Sequence, residues 1–228
     1  MDDQKNNPFS YSQEAVFSNF MQRVYQWMAM GLALTGIAAF MTVANVSLMR
    51  FLLRGGMWVF FIVEFGLVIW LSSSIQRMSA RTATFAFLTY AVLNGITLSG
   101  LFIYYTMASI SSTFLITAMT FAGVSMYGWV TKQDLTSVGS FCAMAIWGIV
   151  IASIVNIFFH APAFYWILSY AGVAVFIGLT AYDTQKLKAI HESVPEAPEQ
   201  LAIYGALALY LDFVNMFLFL LRIFGRRR

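Results

Sequence analysis

Four ionisable side chains draw attention: Glu64 in FFIVEFGLVIW, Asp183 in GLTAYDTQKL, and Asp212 and Arg222, ten positions apart in LYLDFVNMFLFLLRIFG, a run otherwise almost wholly of Leu, Phe, Val, Ile and Met. A charge at the centre of a membrane helix costs about 2.5 to 3.5 kcal/mol even on the lenient insertion scale, so it is kept where it faces protein, water or a counter-ion. Two carboxyls brought together in a low-dielectric space do not both ionise readily. They share a proton and titrate as a coupled pair. That is the chemistry of a pH sensor, a proton site or a cation site. The bland readings differ from residue to residue. Arg222 can snorkel to a headgroup, and Asp183 can mark the watery end of its helix beside Lys186 and Lys188. For Glu64 and Asp212 the bland reading demands a buried, protonated acid with no task.

The elements that hold these residues follow from composition. The chain has 228 residues, of which 60% are hydrophobic and only 10% charged, against about 25% charged in an ordinary soluble domain. Apolar runs occur at 24–48, 57–75, 83–105, 112–131, 138–160, 163–190 and 201–223. Runs of about 20 residues match a hydrocarbon core about 30 Å thick. Lipid offers no partner to an unpaired backbone amide, so each run is read as a helix. The expectation is an all-α integral membrane protein with seven transmembrane helices. It divides into a polar, cytoplasmic N-terminal segment (1–23), one seven-helix transmembrane domain (24–225) and a short basic tail (226–228). The links, NVSLMRFLLRGG, QRMSAR, MASIS, KQDLT, HAP and HESVPEAPEQ, are too short for a second soluble domain.

Other features carry less chemistry. Cys142 is the single cysteine and lies inside an apolar run, so it reads as a small buried packing residue. The N-terminus MDDQKNNPFSYSQEAVFSNF is polar and acidic where a signal peptide is basic and then apolar, so the first span serves as its own insertion signal. The net charge of +3 sits at helix ends and gives no reason to invoke nucleic acid. Tyr25, Trp27, Trp58, Tyr104, Tyr105, Trp129, Tyr165 and Trp166 fall near span ends, as an interfacial aromatic belt requires. With the N-terminus inside, the inner segments hold Lys5, Arg23, Arg77, Arg81, Lys132, Lys186 and Lys188. The outer segments hold Arg50 and Arg54, plus Arg222 and Arg226 to Arg228 at or after the last span. Without those last four, the bias favours an inside N-terminus.

Depth links the charged residues. At 1.5 Å per residue, Asp183 lies about 10 Å and Asp212 about 18 Å from the link between the last two helices, a gap that tilt or a shorter sixth helix can close. The two acids can then face each other across antiparallel neighbours. Glu64 and Arg222 both belong to the outer leaflet, where an ion pair would shut an outer entrance. Arg77 ends the second span on the inner side and can serve as counter-ion to the aspartates, or simply be a positive-inside residue.

At these residues the chain resembles the transmembrane Bax inhibitor motif family in its bacterial branch. The likeness rests on GLTAYDTQKLK at 178–188, LYLDFVNMFLFLLRIFG at 209–225, the glutamate within span two, and NFMQRVYQWMAMGLALTG at 19–36. The short tail ending in three arginines departs from it. The resemblance implies a seven-helix fold whose last helix is a central pillar wrapped by two layers of three, in the bacterial inner membrane. It implies a pH-sensitive calcium leak with no cofactor, calcium being the transported ion. Asp183 and Asp212 would be the proton-sensing pair, Arg77 its latch, and Glu64 and Arg222 the guard of the far side. Asp183, Asp212 and Glu64 would offer calcium weak oxygen ligands.

Rival classes use the same residues. A calcium/proton exchanger shares the aspartates, and a non-transporting regulator of other membrane proteins would use them only to lock helices. An intramembrane aspartyl protease also places a Tyr-Asp in one helix and an Asp in the next. It is similar to its kin at Gly-x-Gly-Asp and Pro-Ala-Leu, and neither occurs here. The reading is therefore not an enzyme. A retinal protein is excluded because Lys5, Lys132, Lys186 and Lys188 all lie outside the membrane core.

Overall fold

The computed structural model describes residues 8–159, 161–193 and 198–228. Nine α-helices follow one another among them: α1 (Pro8–Ala44), α2 (Val46–Phe51), α3 (Met57–Ser74), α4 (Ala80–Leu98), α5 (Leu101–Tyr104), α6 (Met107–Val130), α7 (Thr136–Phe159), α8 (Pro162–Ser193) and α9 (Glu199–Phe224). Seven helical stretches are long and apolar enough to cross a membrane, beginning with Phe20–Ala44 and ending with Glu199–Phe224. The seven-span, all-α reading is thus what the chain builds. Lys5, the span end at His160 and residues 194–197 of the last link lie outside the described residues.

Several boundaries move. Residues 8–23, read as a polar segment, belong to α1, whose first residue is a proline; that ring suits the first helical turn, where no amide partner is needed. The link NVSLMRFLLRGG is helical almost throughout. Asn45 caps α2 by accepting from the Leu48 amide at 3.0 Å, and Leu52–Gly56 forms one π-helical turn. Its sequence is rich in helix formers, and it leaves helical geometry at the capping Asn45 and at Gly55, whose φ of 113° is open to glycine. MASIS likewise opens α6, because Thr106 caps it by accepting from the Ser109 amide at 3.3 Å.

The chain forms two compact units. The first comprises Met1–Gly100 and Leu187–Leu207. Within it α1 and α4 pack backbone to backbone: a Cβ added at Gly95 would collide with the Thr35 carbonyl oxygen, and Thr35 Oγ1 reaches the Ala91 carbonyl at 2.9 Å. Small residues at such crossings give membrane helices the close packing that lipid cannot drive hydrophobically. The second unit comprises Leu101–Lys186 and Ala208–Arg228. Its core joins Cys142 of α7, Val175, Phe176 and Leu179 of α8, and Met216 and Leu220 of α9. Phe114 and Phe121 of α6 set their rings edge-on against Phe213 of α9. The tail 225–228 docks in the same unit, with Arg228 N donating to Tyr104 O at 3.0 Å and Arg226 N to Ser109 Oγ at 3.0 Å.

Burial ranks the helices. In the apolar window of α9, 56% of residues are buried, against 11% in α7. The last helix is thus the most buried of the seven spans, while α7 leaves Phe141, Met144, Trp147 and Ile151 exposed.

Candidate ion and proton site

Both aspartates lie in the second unit, and helical stepping explains why they meet. Residues four apart share a helix face. On α9 the core residues Leu220 and Met216 are followed one turn back by Asp212. On α8 Val175 and Leu179 are followed one turn on by Asp183. Antiparallel helices keep such opposite steps level, so the acids form the next rung after an apolar seam. Asp212 is 5% exposed, Asp183 is half-buried, and the two are electrostatic neighbours. The sixth span is longer than expected, not shorter: α8 runs on to Ser193, which moves Asp183 further from its helix end and so narrows the depth gap. Measured from the helix ends, Asp183 lies about 15 Å and Asp212 about 20 Å along.

Asp212 Oδ2 has no hydrogen-bond partner. The nearby polar side chains give their donors to their own helices: Thr180 to Phe176 O at 2.8 Å, Thr184 to Thr180 O at 2.7 Å, and Asn215 to Leu211 O at 2.8 Å. A buried carboxyl left this way calls for a proton, a water or a cation. Lys186, one turn beyond Asp183, is the cation within its electrostatic reach. Cys142 also lies in the field of Asp212. It packs where a Cβ on Gly178 would stand 2.6 Å from its sulfur, as expected of a small packing residue.

Three contacts fix α8 around the pair. A Cβ on Gly128 of α6 would collide with the Ala181 carbonyl oxygen, and one on Gly139 of α7 would enter the Tyr182 ring. Gln185, which the sequence reading did not single out, holds the α6–α7 loop. It accepts from Leu135 N at 2.8 Å and donates to Gln133 O at 2.8 Å. Replacing it with alanine strands two backbone groups, each hydrogen bond being worth about 0.5 to 1.5 kcal/mol net. Gln185→Ala is expected to lower the thermal midpoint in detergent by several degrees, and an unchanged midpoint would show the clamp to be idle. In the same loop Asp134 is exposed, and the Thr136 hydroxyl and amide hold its carboxyl below the usual range, so it stays ionised at neutral pH.

The remaining predicted residues belong to different units. Glu64 is buried on α3 in the first unit and accepts from the Thr97 hydroxyl of α4, with Tyr90 within electrostatic range. Arg77 ends the short 3-10 turn after α3 with an exposed side chain. Arg222, in the second unit, is exposed with its guanidinium over the Phe219 ring at 5.1 Å and the Tyr165 ring at 6.0 Å. That is the posture of an interfacial arginine stacked on aromatic rings. Among the described residues no group of three or more His, Cys, Asp or Glu is placed to hold a metal ion.

Residues 17–228 match the family model described as "Inhibitor of apoptosis-promoting Bax1". The chain is 46% identical over 220 residues to Inner membrane protein YbhL of Escherichia coli, covering 94% of each. It is 40% identical over 222 residues to an uncharacterized protein of Borreliella burgdorferi, covering 95% of this chain and 96% of that one. An uncharacterized membrane protein of Streptococcus pyogenes is 31% identical over 228 residues, or 97% of this chain and 99% of its own length.

Proposed function

The chain belongs to the Bax1 inhibitor family as a multi-pass membrane protein of the bacterial type, and we propose that it is a pH-sensitive calcium-permeable leak of the inner membrane. The observation that carries this reading is that Asp183 of α8 and Asp212 of α9 are electrostatic neighbours, one of them buried with an unpartnered oxygen. With one proton between them the pair carries at most one charge, and the seam above it can stay closed. Loss of that proton leaves two like charges in a low-dielectric space. They separate or recruit a cation, and either event loosens the α8–α9 seam.

Calcium takes six to eight oxygens in a complete cage. Two carboxylates supply only part of that shell and leave the rest to water, which suits passage better than retention. Location in the inner membrane is taken from the name of the Escherichia coli relative.

The test is calcium entry into proteoliposomes at several pH values, with a proton-sensitive dye read in parallel. A leak runs down the calcium gradient alone. Coupled proton movement would make the protein an exchanger, and movement of neither would make it a scaffold. In the same assay Glu64→Gln and Arg222→Ala are expected to change the basal leak by about two- to fivefold, as removal of one gating contact would. Normal flux in both would reduce them to interfacial residues. Arg77, the latch implied by family resemblance, is expected to shift the pH midpoint when changed to glutamine.

A further inference from the structure

We propose that the buried hydroxyl edge of α6 lines a hydrated cation path that reaches Asp212 from the end covered by the C-terminal tail; the cargo rests on the leak reading above. The buried residues of α6 are Ser109, Thr113, Thr117, Phe121, Ser125 and Gly128, which recur every three or four positions and so share one face. Four of the six carry hydroxyls. In membrane helices such groups ordinarily return to the backbone one turn earlier, and Thr117 does so, donating to Thr113 O at 2.8 Å. Thr113 and Ser125 do not. They are 0% and 4% exposed, and their hydroxyl oxygens have no partner.

A buried hydroxyl without a partner gives up its hydration and gains nothing in exchange. Two of them on one helix face, with the orphaned Asp212 oxygen in the same unit, ask for a mobile polar partner, which is water or a hydrated cation. Ring contacts give the register. Phe213, next to Asp212, touches both Phe114 at 5.3 Å and Phe121 at 5.6 Å, the two rings that flank Thr117 along α6, so this part of the helix runs alongside the aspartate's turn of α9. In one direction the edge continues through Thr113 to Ser109, whose hydroxyl accepts the Arg226 amide of the docked tail. In the other it reaches Ser125 and then Gly128, which abuts Ala181 two residues before Asp183. From Ser109 to Ser125 the rise is about 24 Å, most of a hydrocarbon core. Neutral oxygens leading to carboxylates favour a cation over an anion. Phe121 interrupts the edge as an apolar constriction of the kind that closes a path by dewetting.

Water access tests this directly. In a Cys142→Ala background, Thr113→Cys and Ser125→Cys are exposed in proteoliposomes to a positively charged methanethiosulfonate reagent, which needs a hydrated thiolate. Leu115→Cys on the outward face (Leu115 is 62% exposed) is the lipid control. The two edge positions are expected to react about tenfold faster than the control. Equal rates at all three positions would overturn the path. Thr113→Val is expected to cut calcium flux about fivefold while Thr113→Ser restores it, and equal flux in both variants would also overturn it. Monodisperse elution certifies the fold of each variant. Fast modification together with a pH response untouched by Asp212→Asn would keep the path and sink the sensor pair. No modification with that response abolished would sink the path alone.

Discussion

Asp212→Asn is expected to hold calcium flux near the value that the unaltered protein shows at its most acidic pH, across the whole range from about pH 5 to 8. Asparagine matches the protonated carboxyl in size and cannot lose its proton, so the substitution freezes one protonation state. A single shared proton changes the ratio of the two states by about tenfold per pH unit; the variant should vary by less than about twofold over the range. Asp183→Asn should reach the same plateau, and the double variant should be no further displaced, because groups that titrate as a unit are not additive. Retention of the full pH response in both single variants would remove the pair from the mechanism.

Gly128→Ala carries the largest expected structural effect. The added methyl would meet the Ala181 carbonyl oxygen with no flexible side chain in between to give way. Overpacking of this kind costs about 1 to 3 kcal/mol, and here the relief comes from moving α8 away from α6. Asp183 rides on that helix two residues beyond the contact. The variant should therefore melt earlier in detergent and also show a displaced pH midpoint. Gly123→Ala, on the same helix in open space, should do neither. A melting loss without any change in midpoint would confine Gly128 to packing.

The seven spans were legible because hydrocarbon imposes one demand, length in apolar residues, and 24–48 through 201–223 meet it without help from tertiary structure. The acids were legible for the converse reason: Glu64 and Asp212 are costly where they stand. The rung that aligns Asp183 with Asp212 was present in the four-residue steps from Leu179 and Met216. It became visible only once Val175, Leu179, Met216 and Leu220 were seen to share one core, since depth counted from an assumed link end separated the two acids. Helix starts at Val46 and Met107 were missed because a capping Asn45 or Thr106 reads as loop until its side chain is seen to take an amide. Gln185 and the orphaned hydroxyls of Thr113 and Ser125 were beyond reach for a different reason. Whether a polar group bonds its own helix, another segment or nothing depends on neighbours distant in sequence.

The outward face of α7 bears on how such a protein can change over time. Acyl chains have no fixed shape, so they reward a side chain at Phe141, Met144, Trp147 or Ile151 for dissolving in oil and for nothing finer. One greasy residue there is worth as much as another. Lineages can drift along that ridge freely, while one step round the same helix Gly139 and Cys142 fit against Tyr182 and Gly178 and are held by shape.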